Sequence, residues 1–197
     1  EEARRAPHAR ALRVSAALGL MGLAFAGPRW GAGANLVRAD GIDVVLALDA
    51  SLSMQATDER PSRLERMKQE VRRFRALAPG NRVALLAFAG RSYILSPLTT
   101  DDGAIELFLD NLDPTVVGQP GSAMAAAIRQ GTDLLVAAKG AAGRGLVVLS
   151  DGEAFDDHLE SMAAAKAAAD AEIGVVMVGF GTEGGSTIPV IDGSEII

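Results

Sequence analysis

The chain contains no cysteine, so disulfides and thiolate metal sites are excluded and nothing about its redox compartment can be read from cysteine pairing. It has two histidines, His8 and His158, too far apart in sequence to form a ligand pair. That argues against zinc or iron of the histidine-rich kind, and each reads as a surface imidazole. Neither histidine stands beside a serine at a strand end, so with no cysteine available there is no nucleophile–base pair and no enzymatic activity is expected. A cationic face is also missing: 19 Lys and Arg are mixed among 25 Asp and Glu for a net charge of −6, which gives phosphate backbones nothing to bind and speaks against a nucleic-acid partner. At 197 residues and 49 % hydrophobic content, the chain suffices for one good core plus an appendage.

The appendage is at the front. Arg4, Arg5, Arg10 and Arg13 precede an uncharged stretch from Val14 to Pro28, closed by Arg29 and Trp30. The stretch is shorter than the roughly 20 residues a spanning helix prefers, and counting Arg13 as a snorkelling residue lengthens it. A signal-peptide core has the same length and the same basic leader. The expectation is a basic cytoplasmic leader over 1–10, a transmembrane helix over 11–29 that holds the protein to the membrane through residues 11–28, and a flexible linker over 30–40. By the positive-inside rule the remainder then faces outward.

From Ile42 onward, short apolar runs without polar alternation occur at 42–48, 83–88, 146–149 and 173–178. Strands buried on both faces have this pattern, which implies a mostly parallel sheet covered by helices. The run 91–96 follows its predecessor too closely for a crossover helix and reads as an antiparallel edge strand. Helical patterns fill the gaps. One runs from Ser62, which stands three residues before Glu65 in a capping box, to Pro79-Gly80, with Leu64, Met67, Val71, Phe74 and Leu77 as its apolar stripe and its Arg and Lys as a solvated face. Others cover 100–112, 122–139 and 156–172. Strand and helix alternating in this way predict an α/β, doubly wound, mostly parallel sheet with one antiparallel edge strand and helices on both faces.

In such sheets ligands bind beyond the carboxyl ends of the strands. There the sequence places "DASLSM" at 49–54 and "SDG" at 150–152. Asp49, Ser51 and Ser53 share one parity, so an extended loop would aim all three to one side. Two hydroxyls and two carboxylates, Asp49 and Asp151, are the hard oxygen donors that Mg²⁺ or Mn²⁺ accepts. Taken alone, D-x-S-x-S fits equally well a helix start capped by its serines. A haloacid-dehalogenase-type phosphatase would need a second acid two residues after Asp49, where Ser51 stands. "GFGTEG" at 179–184 matches G-x-G-x-x-G but precedes no helical pattern, so it reads as a glycine-rich turn rather than a phosphate loop.

"DVVLALDASLSM", "GS" at 121–122 opening a helix, and "VVLSDGE" at 147–153 together resemble the metal-ion-dependent adhesion site of von Willebrand factor type A domains, over roughly residues 42–182. The resemblance implies a Rossmann-like fold and a Mg²⁺ or Mn²⁺ ion held by Ser51 and Ser53 directly, with Asp49 and Asp151 directly or through water. The remaining hydroxyl, a threonine in that family, would come from Ser122. It further implies an open coordination position for an Asp or Glu carboxylate of a protein partner. "RWGAG", "VALLAFAGRSYILSPLTTD" and "LFLDNLDP" are similar to bacterial membrane-anchored aerotolerance (Bat) proteins. That implies an inner-membrane location with the domain, 41–197, facing the periplasm, and a domain cut short at its C-terminal end. The expected function is therefore a membrane-anchored, cation-dependent protein-interaction module; the alternatives are a Mg²⁺-dependent phosphoryl hydrolase, or a scaffold whose metal site is vestigial.

Overall fold

The computed structural model describes residues 5–25, 41–114, 123–138, 143–153, 157–182, 184–185, 191–192 and 195–196. The chain divides into two units, Glu1–Arg38 and Ala39–Ile197. The first contributes a single described helix, α1 (Arg5–Phe25). Leu12, Val14, Leu18, Leu20 and Met21 are exposed on it. Neither α1 nor any other helix among the described residues is long and apolar enough to cross a membrane. The arginines at 10 and 13 fall inside the helix and shorten its apolar part. The expected linker, 30–40, lies outside the described residues.

The second unit follows the expected alternation: β1 (Ile42–Asp49), α2 (Arg63–Leu77), β2 (Arg82–Phe88), β3 (Ser92–Thr99), α3 (Asp102–Asp110), α4 (Met124–Ala137), β4 (Gly143–Ser150), α5 (His158–Asp170) and β5 (Gly174–Gly179). These strands form one sheet in the order β3-β2-β1-β4-β5. β1 lies parallel to both β2 and β4, and β4 is parallel to β5. β3 is the antiparallel edge strand, paired with β2. A short antiparallel pair, β6 (Ile191–Asp192) and β7 (Glu195–Ile196), forms a separate ladder.

β1 is central, and its side chains supply both halves of the core. Val44, Leu46 and Leu48 face Leu64, Met67 and Val71 of α2 and Ile105 and Leu109 of α3. Val45 and Ala47 face Ala127, Ile128 and Leu135 of α4 and Ala164 and Ala168 of α5. This double burial is why the strand shows no polar alternation. Each fully buried Val or Leu contributes about 1.5–3 kcal/mol. α4 packs so closely on the sheet that a Cβ at Gly131 would stand 2.7 Å from Leu146 Cδ1.

Three sequence expectations need correcting. β4 begins at Gly143, not at 146, because Gly143, Arg144 and Gly145 pair with Ile42, Asp43 and Val44. Pairing with a central strand overrides their weak strand preference. Leu77, the last residue of α2, is exposed. Most consequentially, the charged face of α2 is only partly solvated: Arg63, Lys68 and Arg75 are buried. Each is ion-paired, Arg63 to Asp58 and Asp151, Lys68 to Glu65, and Arg75 to Asp102.

The chain leaves β1 first toward β2 on one side and returns to β4 on the other, so the strand order reverses between β1 and β4. Their carboxyl ends therefore open the crevice where such sheets bind ligands.

Candidate functional site

Leu48 pairs with Leu149 in parallel register, which brings Asp49 level with Ser150 and sets Asp151 one residue beyond. Asp49 closes β1 as its last residue and is fully buried. Its Oδ2 accepts a 2.6 Å hydrogen bond from Ser150 Oγ, and its Oδ1 accepts one of 2.9 Å from the Ser51 N–H. Ser150 Oγ in turn accepts from the Gly152 N–H at 3.0 Å, which shapes the turn after β4. Burial pushes the Asp49 carboxyl above its ordinary range; hydrogen bonds from Ser150 and Ser51 counter this, and the charge of Asp151 adds to the rise. The groups touching Asp49 are neutral, so its charge has no direct counter-ion among the described residues.

Ser51 and Ser53 do not project from an extended loop. Residues Leu52–Gln55 form a 3₁₀ turn, and that turn sets Ser51 Oγ and Ser53 Oγ 2.9 Å apart, both nearly buried. Ser51 occupies the N-cap position of this turn, yet its side chain makes no capping hydrogen bond. The following helix is capped instead by Ser62, whose Oγ accepts from the Glu65 N–H at 3.2 Å. Helix capping, the competing explanation of "DASLSM", therefore does not account for the Ser51 hydroxyl, which is hydrogen-bonded instead to that of Ser53.

The donor set fits a small hard cation. Cis oxygens of an octahedral ion with bonds of about 2.1 Å lie about 3.0 Å apart, close to the separation of the two serine oxygens. Each Asp49 oxygen already accepts one hydrogen bond, which leaves a lone pair on each for a metal-bound water. The residues that would hold the ion are Ser51 and Ser53, with Asp49 and Asp151 around them. Ser122 lies outside the described residues. Its neighbour Ala123 donates its N–H to Ala89 O, just past the carboxyl end of β2 and at the same end of the sheet.

Sequence reasoning missed three participants. Ser150 was visible only as part of "SDG". Arg63 read as one of many solvated cations on α2, and Asp58 carried no signal beyond lying five residues before it. In the fold, Arg63 Nε and one terminal nitrogen hold both oxygens of Asp58 at 2.9 Å, while Nη1 donates to Asp151 Oδ2 at 3.0 Å. The Arg63 guanidinium holds Asp58 well below the usual carboxylate range, and Asp58 in turn raises Arg63. Asp58 Oδ2 also accepts from the N–H and the hydroxyl of Thr182, and Glu59 accepts from the Gly181 N–H at 2.7 Å, which ties the loop after β5 to this corner. No helix follows Gly179 among the described residues.

The family model for the von Willebrand factor type A domain matches residues 44–153. A UPF0353 protein of Nocardia farcinica is 33 % identical over 162 residues, which are 76 % of this chain and 48 % of that protein. The chain thus spans about half the length of the curated relatives it matches. Among solved structures, an aerotolerance-related membrane protein from Bacteroides fragilis aligns with a TM-score of 0.72 at 32 % identity, covering 80 % of this chain and 76 % of that one. BatB from Bacteroides thetaiotaomicron aligns with a TM-score of 0.73 at 34 % identity, covering 80 % and 75 %.

Proposed function

The chain belongs to the von Willebrand factor type A domain family, and from that premise we propose that it is a membrane-attached protein-interaction module whose binding depends on a divalent cation. The cation, Mg²⁺ or Mn²⁺, is held by Ser51, Ser53 and Ser122 with Asp49 and Asp151. It offers its remaining coordination position to an Asp or Glu carboxylate of a protein partner. The observation that carries this reading is the pair of nearly buried serine hydroxyls at octahedral spacing, free of any capping task, beside a buried carboxylate that has no direct counter-ion among the described residues. Bound there, a divalent cation supplies the missing positive charge and polarises whatever oxygen fills its open position.

Membrane attachment is supported by the apolar side chains exposed along α1, by the arginines that precede them, and by the relative named a membrane protein. In this reading residues 11–28 sit in the bacterial inner membrane with the basic leader on the cytoplasmic side, and the domain faces the periplasm. No catalytic role is assigned.

The test is capture of partners by the full chain in detergent, with millimolar Mg²⁺ against chelator, in wild type and in Ser51→Ala. A partner retained only by wild type with metal is the expected result. Equal capture with chelator, or by Ser51→Ala, overturns the cation-dependent reading.

A further inference from the structure

The fold places a cation at the site that belongs to the chain itself. Arg63, at the start of α2, is nearly buried, and its guanidinium is shared between two carboxylates from different parts of the sequence. Asp58 takes two of its nitrogens and Asp151 the third. The arginine is also walled in: a Cβ at Gly181 would stand 3.3 Å from its guanidinium atoms, and that residue is held over it by Glu59 in a conformation, φ +130°, that suits glycine. Its guanidinium is nearly buried between the two carboxylates. Of the two carboxylates proposed to surround the metal, Asp151 is therefore partnered by a built-in positive charge, whereas Asp49 is left to neutral donors.

We propose that Arg63 is the resident counter-cation of the metal site: it holds Asp151 when the metal is absent, competes with the metal for that carboxylate, and so sets the site's affinity. The proposal rests on the metal reading given above. A permanent charge on the carboxylate keeps the metal-free site folded and orients Asp151, and it keeps the metal weakly enough held to exchange. Asp58 adjusts the competition, because its bidentate grip draws the guanidinium's charge away from Asp151. Through Thr182 the same carboxylate joins this balance to the loop after β5.

Replacing the arginine and replacing Asp58 predict opposite effects. By Coulomb's law, a unit positive charge at a generic separation of about 6 Å weakens the binding of a divalent ion about tenfold even with water-like screening. In Mn²⁺ titrations of the full chain followed by calorimetry, Arg63→Met should therefore bind about tenfold more tightly than wild type. Arg63→Lys keeps the charge and should stay within about twofold of it. Asp58→Asn frees the arginine to lean on Asp151 and should bind several-fold more weakly. A purely structural arginine would lower the melting temperature of metal-free Arg63→Met and leave its dissociation constant at the wild-type value. An Arg63→Met affinity equal to or weaker than wild type overturns the counter-cation role while the metal site itself stands. If Arg63→Met does not fold, unchanged or tighter binding by Asp58→Asn overturns it equally. No Mn²⁺ binding by wild type overturns both this proposal and the reading beneath it.

Discussion

Asp43 and Asp49 stand at opposite ends of β1, both essentially excluded from solvent, and their charges are met in different ways. Asp43 meets a guanidinium: Arg82, its register partner on β2, donates to both carboxylate oxygens at 2.7 and 2.6 Å. Among the described residues, Asp49 meets neutral donors from Ser150 and Ser51. A charged, bidentate partner makes Asp43 part of the scaffold. Neutral donors orient Asp49 without cancelling its charge, and burial then raises its proton affinity. The contrast separates a carboxylate that is finished within the chain from one that still calls for a cation, on a single strand and with the same backbone geometry.

The largest effect that would sharpen this contrast is thermal. Metal bound to the folded chain alone stabilises it by about 2.7 kcal/mol at a metal concentration about 100 times the dissociation constant, enough to raise the melting temperature by several degrees. Asp49→Ala and Ser51→Ala should abolish that rise in scanning calorimetry with Mg²⁺. A rise retained in Asp49→Ala would place the cation elsewhere.

The other end of the strand should respond in the opposite manner. Asp43→Ala removes the buried half of an ion pair whose arginine is partly solvated, so it should cost about 2 kcal/mol while keeping the full Mg²⁺-induced rise. Loss of that rise in a folded Asp43→Ala protein would mean that the two carboxylates are coupled and the distinction between them fails.

A smaller effect provides the control. Asp157 caps α5 by accepting from the Leu159 N–H, so Asp157→Ala should cost about 1 kcal/mol in urea melts and leave the metal response intact. A diminished response would show that acidic charge in general, rather than the donor set of "DASLSM", governs binding.

The smallest effect concerns pH without metal. The folded-state pKa of Asp49 lies above its ordinary 3.8. As pH rises past that value the unfolded chain releases its proton first, so the contribution of Asp49 to stability falls until the pH reaches its folded-state pKa, and is level beyond. Asp49→Asn has no such loss. Relative to wild type in chelator, it should gain stability as the pH rises above about 4, and urea melts at a series of pH values read that difference. A constant difference across the range would mean that Asp49 carries no unbalanced charge in the fold.

Much of the architecture was legible before the fold was known, because the relevant physics is local. Runs such as 42–48 could be read as strands buried on both faces, and Ser62 with Glu65 as a helix start. The close spacing of 83–88 and 91–96 allowed only an antiparallel pair. Each of these is fixed by side chains a few residues apart. The positions of Asp49 and Asp151 at the carboxyl ends of strands followed from the same logic, whereas only the fold decided that those strands, β1 and β4, are neighbours.

The sequence by itself determined the strand pattern, the helix cap and the supply of oxygen donors. Only the tertiary structure decided which charges meet them. Arg63 is one of several basic residues on α2, and periodicity, which records a helix face but not its distant neighbours, left it as solvated. Its approach to Asp151 spans 88 residues of sequence, and that of Ser150 to Asp49 spans 101. Those pairings arise because β4 docks beside β1 in one register and the loop after β5 closes over the start of α2. Whether a buried carboxylate is neutralised from within or left to orient an ion depends on that docking, since an electrostatic partner is defined by distance in space and not by separation along the chain.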